Sequence, residues 1–333
     1  MKKWMLRIGT LATVLASSLF AQDIAGDRQR DESPHSAQFV SVDGDVKLEV
    51  LNWGGSGRPL VLLAGLGSTA HVFDDFAPKL TSAYQVYGIT RRGFGASSVP
   101  NSGYSADRLG DDVLEVIESL RLTRPILVGH SIAGEELSSV GSRHPEKVAG
   151  LIYLEAGYFY AYYDRSRGNL TLDALDVQRK LEQLQPGKGP ADQISLMREL
   201  LNDGLPQLEK QLKETLKNLE GAPPPPPQPP APEGFSPAQA ILAGAQKYTE
   251  IPVPVLAIYA FPRRMGREMG ADPAARAAVA ARQLALSGAQ VKAFETGVRS
   301  ARVVRLPNAD HLIFRSNEAD VLSEMKLFIG TLK

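Results

Sequence analysis

Residues Pro125–Gly134 read P-I-L-V-G-H-S-I-A-G, an apolar run ending in a turn with a serine at its apex. Ile126, Leu127 and Val128 have the continuous apolar character of a strand buried in a parallel sheet. The residues after the turn, Gly134-Glu135-Glu136-Leu137, read as the start of a helix. A strand, a sharp turn and a helix around a serine make a nucleophile elbow, which holds the serine in a strained conformation and needs small residues on either side. Gly129 meets that need two residues before Ser131, and Ala133 meets it two residues after with a single methyl. The backbone N–H of Ile132, at the helix start, is then placed to face an oxyanion. A serine that only caps a helix shows the same local pattern, so the surrounding chain has to decide between the two.

Outward from this stretch, apolar strands alternate with helices. Residues 38–42 and 46–51 alternate apolar and polar around Asp43-Gly44, the pattern of an antiparallel hairpin. Pro59–Ala64 is a buried strand that opens into Gly65-Leu66-Gly67-Ser68. A helix with Val72, Phe73, Phe76 and Leu80 on its apolar side is expected next. Gln85–Thr90 is a strand, followed by the glycine-rich loop Arg91–Ser98. Ser105–Leu120 is an amphipathic helix with Leu109, Val113, Val116, Ile117 and Leu120 facing inward. Beyond the elbow, a helix runs to Arg143 and Val148–Leu154 is again a strand, ending at Glu155-Ala156-Gly157. This spacing predicts right-handed βαβ units and a mainly parallel sheet.

The alternation stops between residues 157 and 250. Leu181, Leu184, Ile194, Met197, Leu200, Leu201, Leu205, Leu208, Leu212, Leu216 and Leu219 recur at helical spacing, which predicts a helical insertion resting on the sheet. Within it, Pro223–Pro232 is expected to be an extended polyproline loop, acting as a spacer or docking a proline-binding partner. The pattern resumes with a strand at Pro252–Tyr259, a long alanine-rich helix beginning at Pro273 with Asp272 as its cap, a strand at Arg302–Leu306 and a closing helix at Asn317–Leu332.

The N-terminus reads differently. Lys2, Lys3 and Arg7 precede an apolar run from Ile8 to Phe20 that ends in small residues, the layout of a secretory signal. Residues 1–21 are therefore expected to be a signal peptide and 22–37 a flexible lead-in that contains His35. Core segments follow at 38–156 and 251–333, with the insertion at 157–250. An exported protein, periplasmic or extracellular, is the expected address, with no membrane span after removal of the signal. The 37 basic and 37 acidic residues balance, and removing the signal leaves 34 against 37, so no nucleic-acid or anionic-membrane partner is implied. The absence of cysteine excludes disulfides and thiol chemistry.

The motifs Leu62-Leu63-Ala64-Gly65-Leu66-Gly67, Arg91-Arg92-Gly93-Phe94-Gly95-Ala96-Ser97, Gly129-His130-Ser131 and Ala309-Asp310-His311 together resemble the α/β-hydrolase superfamily. The likeness covers most of residues 38–333 outside the insertion. It implies a mainly parallel eight-stranded sheet flanked by helices, with a helical cap between strands 6 and 7, and the triad order serine, acid, histidine. Ser131 would attack a carbonyl and His311 would carry its proton. Leu66 and Ile132 would supply the two backbone N–H groups of an oxyanion hole.

The acid is less direct. Where many relatives carry an aspartate after the seventh strand, this chain reads Ala260-Phe261-Pro262-Arg263-Arg264. Glu155, after the sixth strand, is the leading candidate, with Glu268 and Asp272 as alternatives; Asp310 should point away from its neighbour. The structural alternative for a buried Glu155 is a pair with Arg263 or Arg264. His130 is expected to support the turn. His71, Tyr158 and Tyr160 are candidate pocket residues. No cluster of His, Cys and carboxylates at metal-ligand spacing stands in the sequence, and the glycine-rich loops fit neither a P-loop nor a dinucleotide fingerprint. No metal or cofactor is therefore expected. The resulting expectation is a serine hydrolase acting through an acyl-enzyme on a small to medium apolar ester, lactone or thioester. The alternative is a low-turnover ligand-binding or sensor protein on the same scaffold.

Overall fold

The computed structural model describes residues 33–184, 189–220, 234–264 and 273–333. Eight strands form one sheet: β1 (Ser36–Val42), β2 (Val46–Gly54), β3 (Pro59–Leu63), β4 (Gln85–Ile89), β5 (Ile126–His130), β6 (Gly150–Leu154), β7 (Val255–Ala260) and β8 (Ala301–Leu306). Their order across the sheet is β1-β2-β4-β3-β5-β6-β7-β8. Only the β1–β2 and β2–β4 pairs are antiparallel. From β4 to β8 all neighbours run parallel, so the loops leaving β3, β5, β6, β7 and β8 gather at one edge. Chain order reverses about β3, which has β4 on one side and β5 on the other, and ligands of open α/β sheets bind at such a point.

Every residue of β5, β6 and β7 is buried, because helices cover both faces and the strands need no polar side. One face packs against α1 (Ala106–Ser119), α2 (Gly134–Arg143) and α7 (Pro273–Gly297), through residues such as Leu109, Val113, Leu137, Val140 and Phe294. The other packs against Phe73, Phe76 and Leu80 and against α9 (Glu318–Ile329), which contributes Val321, Met325 and Phe328. The inward face expected for α1 is the one it buries, although Leu120 falls just past its end. The Ser105 side chain starts that helix by accepting the Arg108 N–H. Each apolar side chain withdrawn from water in this way contributes about 1.5–3 kcal/mol.

Two expectations are corrected. Residues 70–80 are not one helix but two 3-10 turns, Ala70–Phe73 and Ala77–Leu80. Pro78 has no N–H to donate and its ring would clash with the preceding turn of an α-helix. The four apolar side chains expected there are nevertheless buried. The second correction concerns the insertion between β6 and β7, which forms α3 (Leu170–Gln183), α4 (Pro190–Glu199), α5 (Leu205–Leu219) and α6 (Pro237–Ala243), with a π-helical turn at Leu200–Gly204. Its leucine stripe does not rest on the sheet. Leu200 is buried, but Leu181, Ile194, Met197, Leu201, Leu205, Leu212, Leu216 and Leu219 are exposed. On α5 the buried residue is Gln211, which donates to the Arg167 carbonyl at 2.6 Å. Helical spacing reveals an apolar stripe but not what covers it.

The expected signal and the polyproline loop 223–232 lie outside the described residues, as do Glu268 and Asp272. Among the described residues no helix is long and apolar enough to cross a membrane. His35, expected in a flexible lead-in, is packed against Trp53 and His71.

Candidate active site

Ser131 follows β5 directly, at the first position of a short 3-10 turn, Ser131–Ala133, that leads into α2. Its φ of 53° is the left-handed conformation that a non-glycine residue adopts only under constraint. The constraint is tight on both sides. A Cβ on Gly129 would come within 2.9 Å of Leu137, and one on Gly134 within 2.0 Å of the Ala156 carbonyl. Ala133, by contrast, fits, with its own methyl among the neighbours of Gly129.

His311 lies on the loop between β8 and the short helix α8 (Ile313–Ser316). Its Nε2 is 3.0 Å from Ser131 Oγ, across 180 positions of sequence. Its Nδ1 faces Glu155 Oε2 at 3.4 Å. Glu155 is fully buried at the end of β6, with a φ of 51°. Its other oxygen accepts the Tyr158 hydroxyl at 2.9 Å and the Ala260 N–H at 2.6 Å. Burial pushes its carboxyl up to about 6, against the pull of the Arg263 charge, the Tyr158 hydroxyl and the Ala260 N–H. Arg263 thus acts on Glu155 through its field, whereas Arg264 pairs with Asp310 at 3.6 Å near the surface. The Asp310 side chain is exposed.

The loop after β3 presses on the elbow. A Cβ on Gly65 would meet His130 Nδ1 at 2.9 Å and Ser131 Cβ at 3.3 Å, so glycine is required there by close approach. Leu66 is the next residue of the same loop. Arg91 holds this loop from below, donating to the Ala64 carbonyl at 2.9 Å and the Gly65 carbonyl at 3.5 Å. Arg91 is itself clamped by Glu136 of α2, at 2.5 and 2.8 Å. One buried ion pair therefore joins the β3 loop to the elbow helix.

The aromatic residues divide their work. The Tyr160 phenol, buried and raised far above its ordinary range by that burial, interacts with the Ser131 side chain. Tyr158 serves the carboxylate instead. Tyr259 donates to the Gly157 carbonyl at 2.7 Å and packs edge-on against Tyr158, fixing the chain just after Glu155. His71 contacts Asp74 at 3.1 Å and Glu49 at 3.7 Å.

Sequence reasoning missed three features here. The Arg91–Glu136 clamp joins residues 45 positions apart, with no local pattern to announce it. Glu135 is buried with both carboxylate oxygens lacking a hydrogen-bond partner; an acidic residue in a helix's first turn ordinarily reads as a dipole partner at the surface. His35, His71 and Asp74 converge, where the sequence suggested no metal-ligating group, since only His71 and Asp74 share a segment.

Comparison with known proteins places these observations. The 2-(acetamidomethylene)succinate hydrolase of Mesorhizobium japonicum is 28% identical over 160 residues, covering 47% of this chain and 51% of the relative. A putative carbamate hydrolase of Caulobacter segnis is 33% identical over 115 residues, 34% of this chain and 43% of that one. The fluoroacetate dehalogenase of a Burkholderia species is 32% identical over 126 residues, covering 36% and 41%. The chain thus spans about half the length, or less, of the curated relatives it matches. Among solved structures, an esterase of Exiguobacterium antarcticum superposes with a TM-score of 0.56 at 16% identity, covering 89% of this chain and all of that one. A bacterial membrane phospholipase A superposes with a TM-score of 0.53 at 22% identity, covering 99% and 98%. These structural likenesses concern the fold. A model of the Alpha/beta hydrolase family matches residues 60–324, from β3 into the closing helix, and this chain belongs to that family.

Proposed function

We propose that the chain is a serine hydrolase that cleaves a small to medium apolar carboxylic ester, with lactones and thioesters inside the same chemical range. The observation that carries this reading is the 3.0 Å approach of His311 Nε2 to Ser131 Oγ. A serine hydroxyl is a weak nucleophile near neutrality and needs a base within hydrogen-bond reach. In this reading His311 takes the Ser131 proton as Oγ adds to the carbonyl carbon. The imidazolium that forms is held by Glu155, whose contact at 3.4 Å shortens as the charge develops. The N–H groups of Leu66 and Ile132 receive the oxyanion, each donor being worth about 2.7–4 kcal/mol of barrier. His311 then returns the proton to the leaving alkoxide, the acyl-enzyme remains on Ser131, and water repeats the sequence.

Tyr160 and the neighbouring aromatic side chains favour an apolar acyl group beside the nucleophile. The similarity to a dehalogenase does not extend to its bond class, because dehalogenases on this scaffold attack with an aspartate and this chain has Ser131. Residues 1–21 support export, with the helices between β6 and β7 as a cap over the site.

A fluorophosphonate probe tests the reading. Rapid stoichiometric labelling of the wild type but not of Ser131→Ala, with p-nitrophenyl ester turnover that falls as the acyl chain lengthens past medium size, is expected. No labelling anywhere between about pH 6 and 9 would overturn it and turn the reading towards a ligand-binding or sensor protein. Fractionation and N-terminal sequencing of the mature chain test export, with a start after residue 21 expected.

A further inference from the structure

A second cluster joins the turn that follows the β3 loop to the residue just before β1. His71 Nδ1 stands 3.1 Å from Asp74 Oδ2, and His35 Nδ1 stands 3.6 Å from Asp74 Oδ1. One donor atom from each of these three residues lies within 4.8 Å of the other two. In a tetrahedral site with bonds of about 2.0–2.1 Å, neighbouring donors are roughly 3.3–3.4 Å apart. The two distances bracket that edge length, one on each oxygen of Asp74, so the rings and the carboxylate must close up to share one ion.

The surroundings point the same way. Asp74 is buried, and its Oδ1 accepts from Trp53 Nε1 at 3.2 Å and from Ser33 Oγ at 2.9 Å. His71 turns its other nitrogen, Nε2, towards Glu49 Oε1 at 3.7 Å. Glu49 is itself buried and fixed by the Thr90 hydroxyl at 2.7 Å on its second oxygen. An imidazole with one nitrogen in the cluster and the other facing an anchored carboxylate has the arrangement that orients metal-ligating histidines. Among the described residues, the ion pairs of Asp74 and Glu49 are with His35 and His71. Two carboxylates with so little exposure and no lysine or arginine in those pairs favour a bound dication.

We propose that His35, His71 and Asp74 form a binding site for a borderline-soft dication, Zn²⁺ by its ligand chemistry, with Glu49 orienting His71. Two imidazoles select against Mg²⁺ and Ca²⁺, which take oxygen ligands. Because His35 precedes β1 while His71 and Asp74 follow the Gly65–Leu66 loop, the ion fastens the segment before β1 to the turn behind that loop. Its role is structural, and the site stands independently of the proposed ester chemistry.

The test uses chelator-treated, tag-free protein, titrated calorimetrically with ZnCl₂. In parallel, CoCl₂ binding is followed by visible absorption and tryptophan fluorescence. The chain has two tryptophans, Trp4 and Trp53, and the Trp53 ring centroid is 5.9 Å from that of His35, so bound Co²⁺ quenches Trp53. Expected are one Zn²⁺ per chain with a Kd below about 10 μM, a weakening of about 10–100-fold in Glu49→Gln, and a larger loss in His71→Gln and in His35→Gln. Wild-type affinity weaker than about 1 mM overturns the proposal, and so does undiminished binding by the His35→Gln/His71→Gln double variant. The wild-type titration decides the matter even if a variant fails to fold.

Discussion

His130 Nε2 donates to the backbone carbonyl of His311 at 2.9 Å, and the two rings lie 4.6 Å apart, centroid to centroid. The residue before the proposed nucleophile therefore holds the loop that carries the proposed base. The His130 ring also meets Phe314 of α8 edge-on, and Gly65 lies against its Nδ1. One imidazole spaces three of the loops that converge on Ser131.

This arrangement makes His130 a positioning residue. His130→Ala should lower kcat by roughly 10–100-fold with KM nearly unchanged, since displacing a reacting group by about 1 Å has that effect. Burial, reinforced by the neighbouring His311, pushes the His130 imidazole down to about 3. Between there and its ordinary value of 6.5, the unfolded chain binds a proton that the folded chain does not. The contribution of His130 to stability is thus full above 6.5 and is lost as pH falls towards 3. Chemical denaturation of His130→Gln across this range should give a flatter profile than the wild type; an unchanged slope would contradict the assignment.

Glu155→Gln should reduce ester turnover by at least about 100-fold, as expected for loss of a group that orients and charges the base. The amide keeps the size of the side chain and can still meet Tyr158. Glu155 is lifted to about 6 by burial and must be ionised to stabilise the His311 cation, so activity should rise through about pH 6 in the wild type. That limb should shift in the residual activity of the variant, where the base titrates without its carboxylate partner. Wild-type turnover in Glu155→Gln would move the role to another carboxylate.

Gly65→Ala should fold and yet lose activity. The added methyl meets His130 Nδ1 at 2.9 Å and Ser131 Cβ at 3.3 Å, so the loop must move away from the elbow. Displacing one oxyanion donor in this way should cost about 10²–10³ in kcat. The melting temperature checks that the fold persists.

The Arg91–Glu136 clamp predicts a non-additive pair. Arg91→Met leaves Glu136 as an unpaired buried carboxylate and releases the Ala64 and Gly65 carbonyls. Removing one partner of a buried ion pair destabilises by about 3–5 kcal/mol. Adding Glu136→Leu should recover much of that stability while leaving the activity loss in place, because nothing then holds the β3 loop. A double-mutant cycle run on both stability and kcat separates the two effects.

Glu135 gives a pH signature of opposite sign. Its carboxyl is raised well above the usual value of 4.5 by burial and by the neighbouring Glu136, so folding favours its neutral form. Above 4.5 the unfolded chain loses a proton that the folded chain keeps, and stability falls as pH rises through that window. Glu135→Gln should abolish this decline and make the protein more stable than the wild type near pH 7, as measured by urea unfolding.

Sequence by itself determined the scaffold and the proposed nucleophile. A fully apolar strand, small residues flanking Ser131 and the recurrence of strand and helix are local signals, and covering both faces of a parallel sheet leaves little else for them to build. The placement of His311 after the last strand belongs to the same local reading. Only the tertiary structure decided what faces what. Glu155 became the carboxylate behind His311 because β6 ends beside β7, where the Ala260 N–H can receive it. The insertion's leucines stayed exposed, because periodicity describes a helix face and not its cover. His35 and His71 meet Asp74 because the β1–β2 pairing brings the segment before β1 back onto the turn after β3. Such convergences depend on through-space packing among segments far apart in the chain, and they leave no spacing in the sequence to be read.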